Sequence, residues 1–268
     1  MITMDVRADI EYQPTYHTGV QGRIWQALED TEFQAQHDTN DPPKFSYSNP
    51  FPPKDMEEGD QRKLMVASVS EELLAHVAAD LLEDRDFNIK QMPFRVTDIS
   101  EFTLDVGEPG STGTISCGTG LFIRIPHWDL DRYDMEHPKG ENADTPVYWR
   151  PEHGVHIVRD QLERALEYKW NLYGEQYYPS PAETDHQLFE EYDYIKNFAL
   201  PINVDPSHEH EFILSKWRFK YRVRDEAHRK HLNLALNLGL GERTGMGFGF
   251  INIDKKTLPH EQEEEVFA

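Results

Sequence analysis

The stretch LGLGERTGMGFGFINI, Leu238 to Ile253, holds five of the sixteen glycines of this 268-residue chain. Gly239, Gly241, Gly245, Gly247 and Gly249 surround Arg243, Phe248 stands between the last two, and an apolar pattern, Phe250-Ile251-Asn252-Ile253, follows directly. Glycine reaches backbone angles closed to other residues and lets a backbone come close to another surface. A run of exposed N–H groups also cradles an anion. A mobile linker fits poorly, because the stretch is short, carries Met246 and Phe248, and runs straight into a strand. There is no Gly-Lys-Ser/Thr ending, so it is not a P-loop, and the order helix, glycine loop, strand reverses that of a dinucleotide-binding turn. The reading is a loop for phosphate or close backbone approach, with Gly239 capping the helix before it.

Upstream of the loop, Asp225 can cap a helix ending at Leu238, where leucines alternate with Asn or Ala and no β-branched residue favours a strand. Strands are expected near 193–203 and 211–224, and a helix over 155–173 with Val158, Leu162, Leu166 and Trp170 at helical spacing. Leu121, Ile123 and Ile125 alternate as a strand, and 127–152 reads as an irregular polar insertion. The N-terminal part gives a strand over 3–12 and a helix opened by a Thr18/Gln21 capping box that fades before Asp41-Pro42-Pro43. It continues with extended segments at 44–51 and 62–69, a Ser70-capped helix with Leu73, Leu74, Val77, Ala78 and Leu81 on one face, and strands over 87–106. Each half therefore runs β-α-β-β-α-β. The expected architecture is α+β, two tandem ferredoxin-like (βαββαβ) domains. The expected division is 1–107, 112–258 and an acidic tail 259–268, with Glu108-Pro109-Gly110-Ser111 as linker.

The chain has 49 acidic and 27 basic residues, a formal net charge of −22. That balance argues against a globally basic nucleic-acid binder. Asp and Glu are spread over nearly every segment, as in a halophilic proteome where salt screens self-repulsion. Only Glu261 to Glu265 is a concentrated acidic run. The single cysteine, Cys117, lies in an apolar strand pattern and reads as a buried small residue. No signal segment or long apolar run stands out, so the expectation is a cytoplasmic protein with no membrane partner.

One stretch departs from the acidity. In Lys216-Trp217-Arg218-Phe219-Lys220-Tyr221-Arg222-Val223-Arg224, five cations alternate with four apolar residues. On a strand the apolar set faces a core, and the cations line the other face about 7 Å apart. Such a row suits a phosphate backbone, with Arg229 and Lys230 adding to it; the alternative is a solvated face paired with nearby acids. Close histidine pairs (His153/His156, His208/His210, His228/His231) lack a zinc-binding pattern or cysteine partners, so no metal and no cofactor are expected. His37, with Lys44 seven positions on, offers a proton-transfer group and a charge-stabilising cation.

Together these residues resemble the CRISPR repeat-processing endoribonucleases of the RAMP superfamily. The resemblance rests on Gly239 to Gly249 with its Gly-aromatic-Gly ending, on Gln21-Gly22-Arg23-Ile24-Trp25, and on His37 through Lys44-Phe45-Ser46-Tyr47-Ser48. It covers nearly the whole chain; the 127–152 insertion matches least. It implies a metal-independent cut in each CRISPR repeat RNA, in which a ribose 2′-OH attacks the adjacent phosphate to leave 2′,3′-cyclic phosphate and 5′-OH ends. It implies His37 as the catalytic histidine and Lys44 as the transition-state lysine. Trp25 lies near the place of a tyrosine that completes a triad in some members, and Tyr16, His17 and Tyr47 are candidate substitutes for it. The implied RNA-binding set is the five loop glycines with Arg243 and Phe248, together with Lys216, Arg218, Lys220, Arg222 and Arg224. Phe45, Tyr47 and Phe248 are candidates for base stacking. The implied partners are precursor and mature CRISPR RNA and other subunits of a type I effector complex. A non-catalytic RNA-binding subunit is the alternative.

Overall fold

The computed structural model describes residues 1–138, 146–178, 186–205, 208–259 and 261. In the N-terminal half, β1 (Ile2–Val6) is flanked by β3 (Gln61–Leu64) and β6 (Met92–Ile99), and β5 (Asp86–Ile89) closes the order β3-β1-β6-β5, antiparallel throughout. Helices α1 (His17–Ala27) and α2 (Glu71–Glu83) bury Val20, Ile24, Leu73, Val77 and Leu81 in one core with Ile2, Met4 and Val6. Ser70 caps α2 as expected, its hydroxyl accepting from the Leu73 N–H at 3.2 Å. Two strands not resolved as a unit in the sequence, β2 (Phe45–Tyr47) and β4 (Val66–Ser68), pair with each other outside the main sheet. The main-sheet strands and helices of this half follow one another as β1-α1-β3-α2-β5-β6, with β3 standing between β2 and β4 in the chain, and the separate β2/β4 pair lies against the other domain, where Ser46 Oγ donates to Asn237 O at 3.1 Å.

The expected Thr18 cap is corrected. α1 begins at His17, after Tyr16, with no side-chain cap, and the buried Thr18 hydroxyl has no hydrogen-bond partner among the described residues. Tertiary anchoring sets this start: Tyr47 Oη donates to the His17 carbonyl at 2.9 Å, and His17 Nδ1 lies 2.9 Å from the Met246 carbonyl.

In the C-terminal half, β11 (Glu191–Asp205), β12 (His208–Arg222), β7 (Thr112–Cys117) and β13 (Ile251–Thr257) form the order β11-β12-β7-β13, with β8 (Leu121–Phe122) also on β12. A small pair, β9 (Arg124–Ile125) with β10 (Val147–Tyr148), lies apart. With α3 (Val155–Lys169) between β7 and β11, and α5 (Glu226–Leu238) between β12 and β13, this is the ferredoxin-like order. α3 does not simply run on to 173: it passes into a π-helical turn, Trp170–Gly174, and then α4 (Glu175–Tyr177). Asp225 caps α5, accepting from His228 N–H at 2.7 Å. Trp217, Phe219, Tyr221 and Val223 alternate into the core, as the period-two pattern requires.

The Glu108–Ser111 segment is a pinned turn, not a free linker: Ser111 N–H donates to Glu108 O at 2.9 Å and Val223 N–H to Ser111 O at 2.8 Å. Val106 already packs in the C-terminal core. Residues 139–145 of the polar insertion lie outside the described residues, as does the acidic tail except residues 259 and 261. Among the described residues no helix is long and apolar enough to cross a membrane.

Candidate active site at the domain junction

The glycine loop lies between the two domains, and local geometry explains its composition. Gly239, Gly241, Gly247 and Gly249 all have positive φ, from 69° to 82°. A Cβ on Gly249 would run into the Leu240 carbonyl, and one on Gly247 into the Tyr47 ring of the N-terminal domain. A Cβ on Gly245 would stand 2.8 Å from the Pro43 ring. Gly249 N–H donates to Gly120 O at 2.8 Å, and Leu240 N–H to Gly249 O at 2.9 Å. The close approaches seen are therefore to the protein itself, and they dock the loop beside the Pro43–Lys44 step. Arg243, in the left-handed region at φ 53°, is exposed, with its guanidinium 5.9 Å from the Phe122 ring and no acidic partner among the described residues.

Three stacking candidates are corrected. Phe248 is 0% exposed, packed with Phe122 and Phe212 beneath the loop. Phe45 and Tyr47 are equally buried in the N-terminal core. None of the three rings can meet a base in this conformation; their aromatic area closes the domain junction instead. Tyr16 and His17 are buried too. An exposed ring that the sequence reading passed over is Tyr168, whose hydroxyl reaches Asp41 across the junction.

His37 is exposed (57%), ten residues past the end of α1 and just after a short turn, Gln34–Gln36. Its ring meets Trp25 edge-on at 5.2 Å, and its Nδ1 lies 2.8 Å from Asp38 Oδ1. With Nδ1–H donated to that carboxylate, Nε2 carries the lone pair. The Lys44 backbone N–H donates to Gln36 Oε1 at 3.4 Å, tying the lysine segment to the residue before His37. Trp25 in turn packs on Phe45 at 5.2 Å. The Gln36–Lys44 hydrogen bond and the approach of Gly245 to Pro43 thus bring the segments that carry His37, Lys44 and the glycine loop side by side.

The cationic strand is less bare than the sequence suggested. Arg218 lies 3.7 Å from Asp254, Lys220 2.7 Å from Glu191, and Arg222 3.6 Å from Glu190, which Arg224 also engages. The alternative of surface pairing is realised for these four, while Lys216 has no acidic partner among the described residues. Exposed pairs of this kind are weak and salt-screened, so a phosphate can replace the carboxylate. The row faces away from the core beside Ser116, Thr114 and Thr112 of β7. The histidine pairs serve local structure: His153 Nδ1 accepts from Arg150 N–H at 3.0 Å, and His231 stacks on Trp170 at 4.0 Å. The side chain of His208 lies outside the described residues. Cys117 is buried as expected, its thiol pushed up to about 12 by burial.

Two buried groups were not singled out from the sequence as supports of the loop. Lys169 Nζ donates to the carbonyls of Leu238 (3.3 Å), Gly239 (2.8 Å) and Gly241 (3.2 Å), closing the end of α5 and the start of the loop. Burial lowers its ammonium to about 7, against a small raising effect of Glu242. The signal was present: Lys169 falls on the buried stripe of Leu162 and Leu166. His17, the second, sits on the buried face of α1 with Val20 and Ile24. It stacks on Tyr16 at 4.0 Å and holds the Met246 carbonyl; burial lowers its pKa to about 4.

The His17 shift has a measurable consequence. The unfolded chain takes up a proton near pH 6.5 and the native site only near pH 4, so stability falls as pH drops through that window. Between pH 7 and 4.5 the wild type is expected to lose about 2–3 kcal/mol more than a His17→Gln variant, read by urea unfolding in high KCl. Equal losses in the two proteins would contradict the burial of a neutral imidazole.

The class the fold defines is that of tandem antiparallel ferredoxin-like domains with a glycine loop docked between them. A family model described as CRISPR associated protein Cas6, C-terminal, matches residues 135–253. Over 265 residues the chain is 43% identical to a CRISPR-associated endoribonuclease Cas6 of Haloferax mediterranei, covering 99% of this chain and 97% of the relative. A solved structure described as an RAMP protein binding different RNA substrates superposes with a TM-score of 0.67 at 15% identity, covering 95% of this chain and 98% of that one. One of a Cas6-related gene product from Pyrococcus furiosus gives 0.63 at 14%, over 95% and 98%. The chain belongs to the Cas6 family of CRISPR-associated endoribonucleases. The Haloferax relative agrees with a halophilic reading of the acidic surface.

Proposed function

We propose that this protein cuts CRISPR precursor RNA within its repeats by attack of a ribose 2′-OH on the adjacent phosphate, without a metal ion. His37 Nε2 takes the 2′-OH proton as O2′ bonds to phosphorus. The bond to the 5′ oxygen then breaks, and that oxygen leaves with a proton returned from the imidazolium. Lys44 stabilises the added negative charge on the phosphate oxygens. The carrying observation is the exposed His37, partnered by Asp38, on a segment tied through Gln36 to the backbone of Lys44, whose ammonium has no carboxylate partner among the described residues. Arg243 and the cations of β12 supply phosphate contacts, and base contacts supply selectivity. Retention of the mature RNA for other subunits of a type I effector complex, in the cytoplasm, belongs to the same reading.

The test is the end chemistry of the product. Mass spectrometry of the upstream fragment is expected to give a 2′,3′-cyclic phosphate, and the downstream fragment a 5′-OH. A linear 3′-OH with a 5′-phosphate would contradict 2′-OH attack. Charge reversal of Arg218 and Arg222 together is expected to weaken RNA binding and flatten its salt dependence by about 0.7 in log–log slope per lost contact. Unchanged affinity and slope would leave the strand as a surface that only balances acid.

A further inference from the structure

The geometry points to Tyr173 and Tyr177 as positioning residues for Lys44: a cage contributed by the C-terminal domain that holds the ammonium at the junction while leaving its N–H donors for a phosphate. Lys44 Nζ lies 5.7 Å from the centroid of Phe33, 5.7 Å from that of Tyr173 and 5.5 Å from that of Tyr177. All three are within cation–π range. Phe33 belongs to the N-terminal core, whereas the two tyrosines come from the π-helical turn and α4 of the other domain, four residues apart on one face.

In a chain with 49 acidic residues, a carboxylate is the commonest partner a lysine could meet. A carboxylate would accept the N–H donors and cancel the charge that a phosphate needs. An aromatic face attracts the cation without taking those donors away. It also restricts a flexible side chain that otherwise loses much rotamer freedom on binding.

The tyrosines are themselves fixed. Tyr173 is buried and its hydroxyl donates to Pro42 O at 2.6 Å, two residues before Lys44. The wide π turn that aims it is packed at Gly174, where a Cβ would enter the Trp170 ring. π turns recur at functional sites because they re-aim one side chain within a helix. The cage therefore makes the position of Lys44 depend on domain docking.

This inference rests on Lys44 as the charge-stabilising cation, and one experiment separates the two. Tyr177 is replaced by phenylalanine and then by mono-, di- and trifluorinated phenylalanine, which keep ring size while draining the π face. Single-turnover cleavage of repeat RNA at saturating enzyme is expected to slow stepwise, by about threefold to tenfold across the series. Affinity for RNA carrying a 2′-deoxy sugar at the cut, and the melting temperature, are expected to stay unchanged. In a Lys44→Ala background the fluorine effect is expected to vanish. If Lys44→Ala slows cleavage but the series is flat, the cage is packing only and the positioning role is overturned. If Lys44→Ala cleaves like the wild type, the role of Lys44 itself fails, and the cage with it.

Discussion

Replacing His37 by alanine is expected to slow single-turnover cleavage of repeat RNA by about 10²- to 10⁴-fold, with RNA affinity and melting temperature unchanged. The size follows from removing the proposed general base and acid of the reaction. The separation from stability follows from its surroundings: the side chain is more than half exposed, and it meets Asp38 and the edge of Trp25. Asp38→Asn is expected to have a smaller effect of the same kind, since it orients the imidazole without touching the phosphate. A His37→Ala protein that loses RNA binding and cleavage together would make His37 structural. One that cleaves at the wild-type rate would remove it from the mechanism.

The second large effect is expected at Gly249. Valine there needs φ near 69°, in a region closed to β-branched residues, and its Cβ overlaps the Leu240 carbonyl. Both atoms belong to backbone held by hydrogen bonds to Gly249 O and Gly120 O, so neither can give way. Gly249→Val is expected to cost about 4–5 kcal/mol or more in urea unfolding. Gly59→Val isolates the backbone term, because Gly59 has φ 88° but open space around its Cβ position; about 1–2 kcal/mol is expected there. Equal losses at the two sites would mean the loop is not packed as described. A fully stable Gly249→Val protein that fails only in RNA binding would instead make the glycines a platform for RNA approach.

These two sites show how the sequence and the structure divide the information. The alternation of Trp217, Phe219, Tyr221 and Val223 gave a buried strand face because period two is a local property. The Ser70 and Asp225 caps were legible for the same reason. His37, Lys44 and the glycine loop were legible as residue types, and the structure brings their segments together at the junction. What could not be read was what each glycine lies against. Gly247 needs no side chain because Tyr47, two hundred residues earlier, occupies the space. The Thr18 cap failed because contacts from Tyr47 and Met246 set the start of α1. Phe248, Phe45 and Tyr47 looked suited to stacking on bases, yet domain packing covers them. Pairing of the β12 cations with Glu190, Glu191 and Asp254 likewise depends on strand register, which the sequence leaves open.

The central claim is that the attacking nucleophile is the RNA's own 2′-OH, and it is tested most directly by a single-atom change in the substrate. Labelled repeat RNA, all-ribose or with one 2′-deoxy sugar at the cut, is incubated with the protein in high KCl containing EDTA. The account predicts cleavage of the all-ribose strand at its full rate, none of the deoxy strand, and equal affinity for both. Cleavage of the deoxy strand, or loss of all-ribose cleavage on chelation, would contradict it.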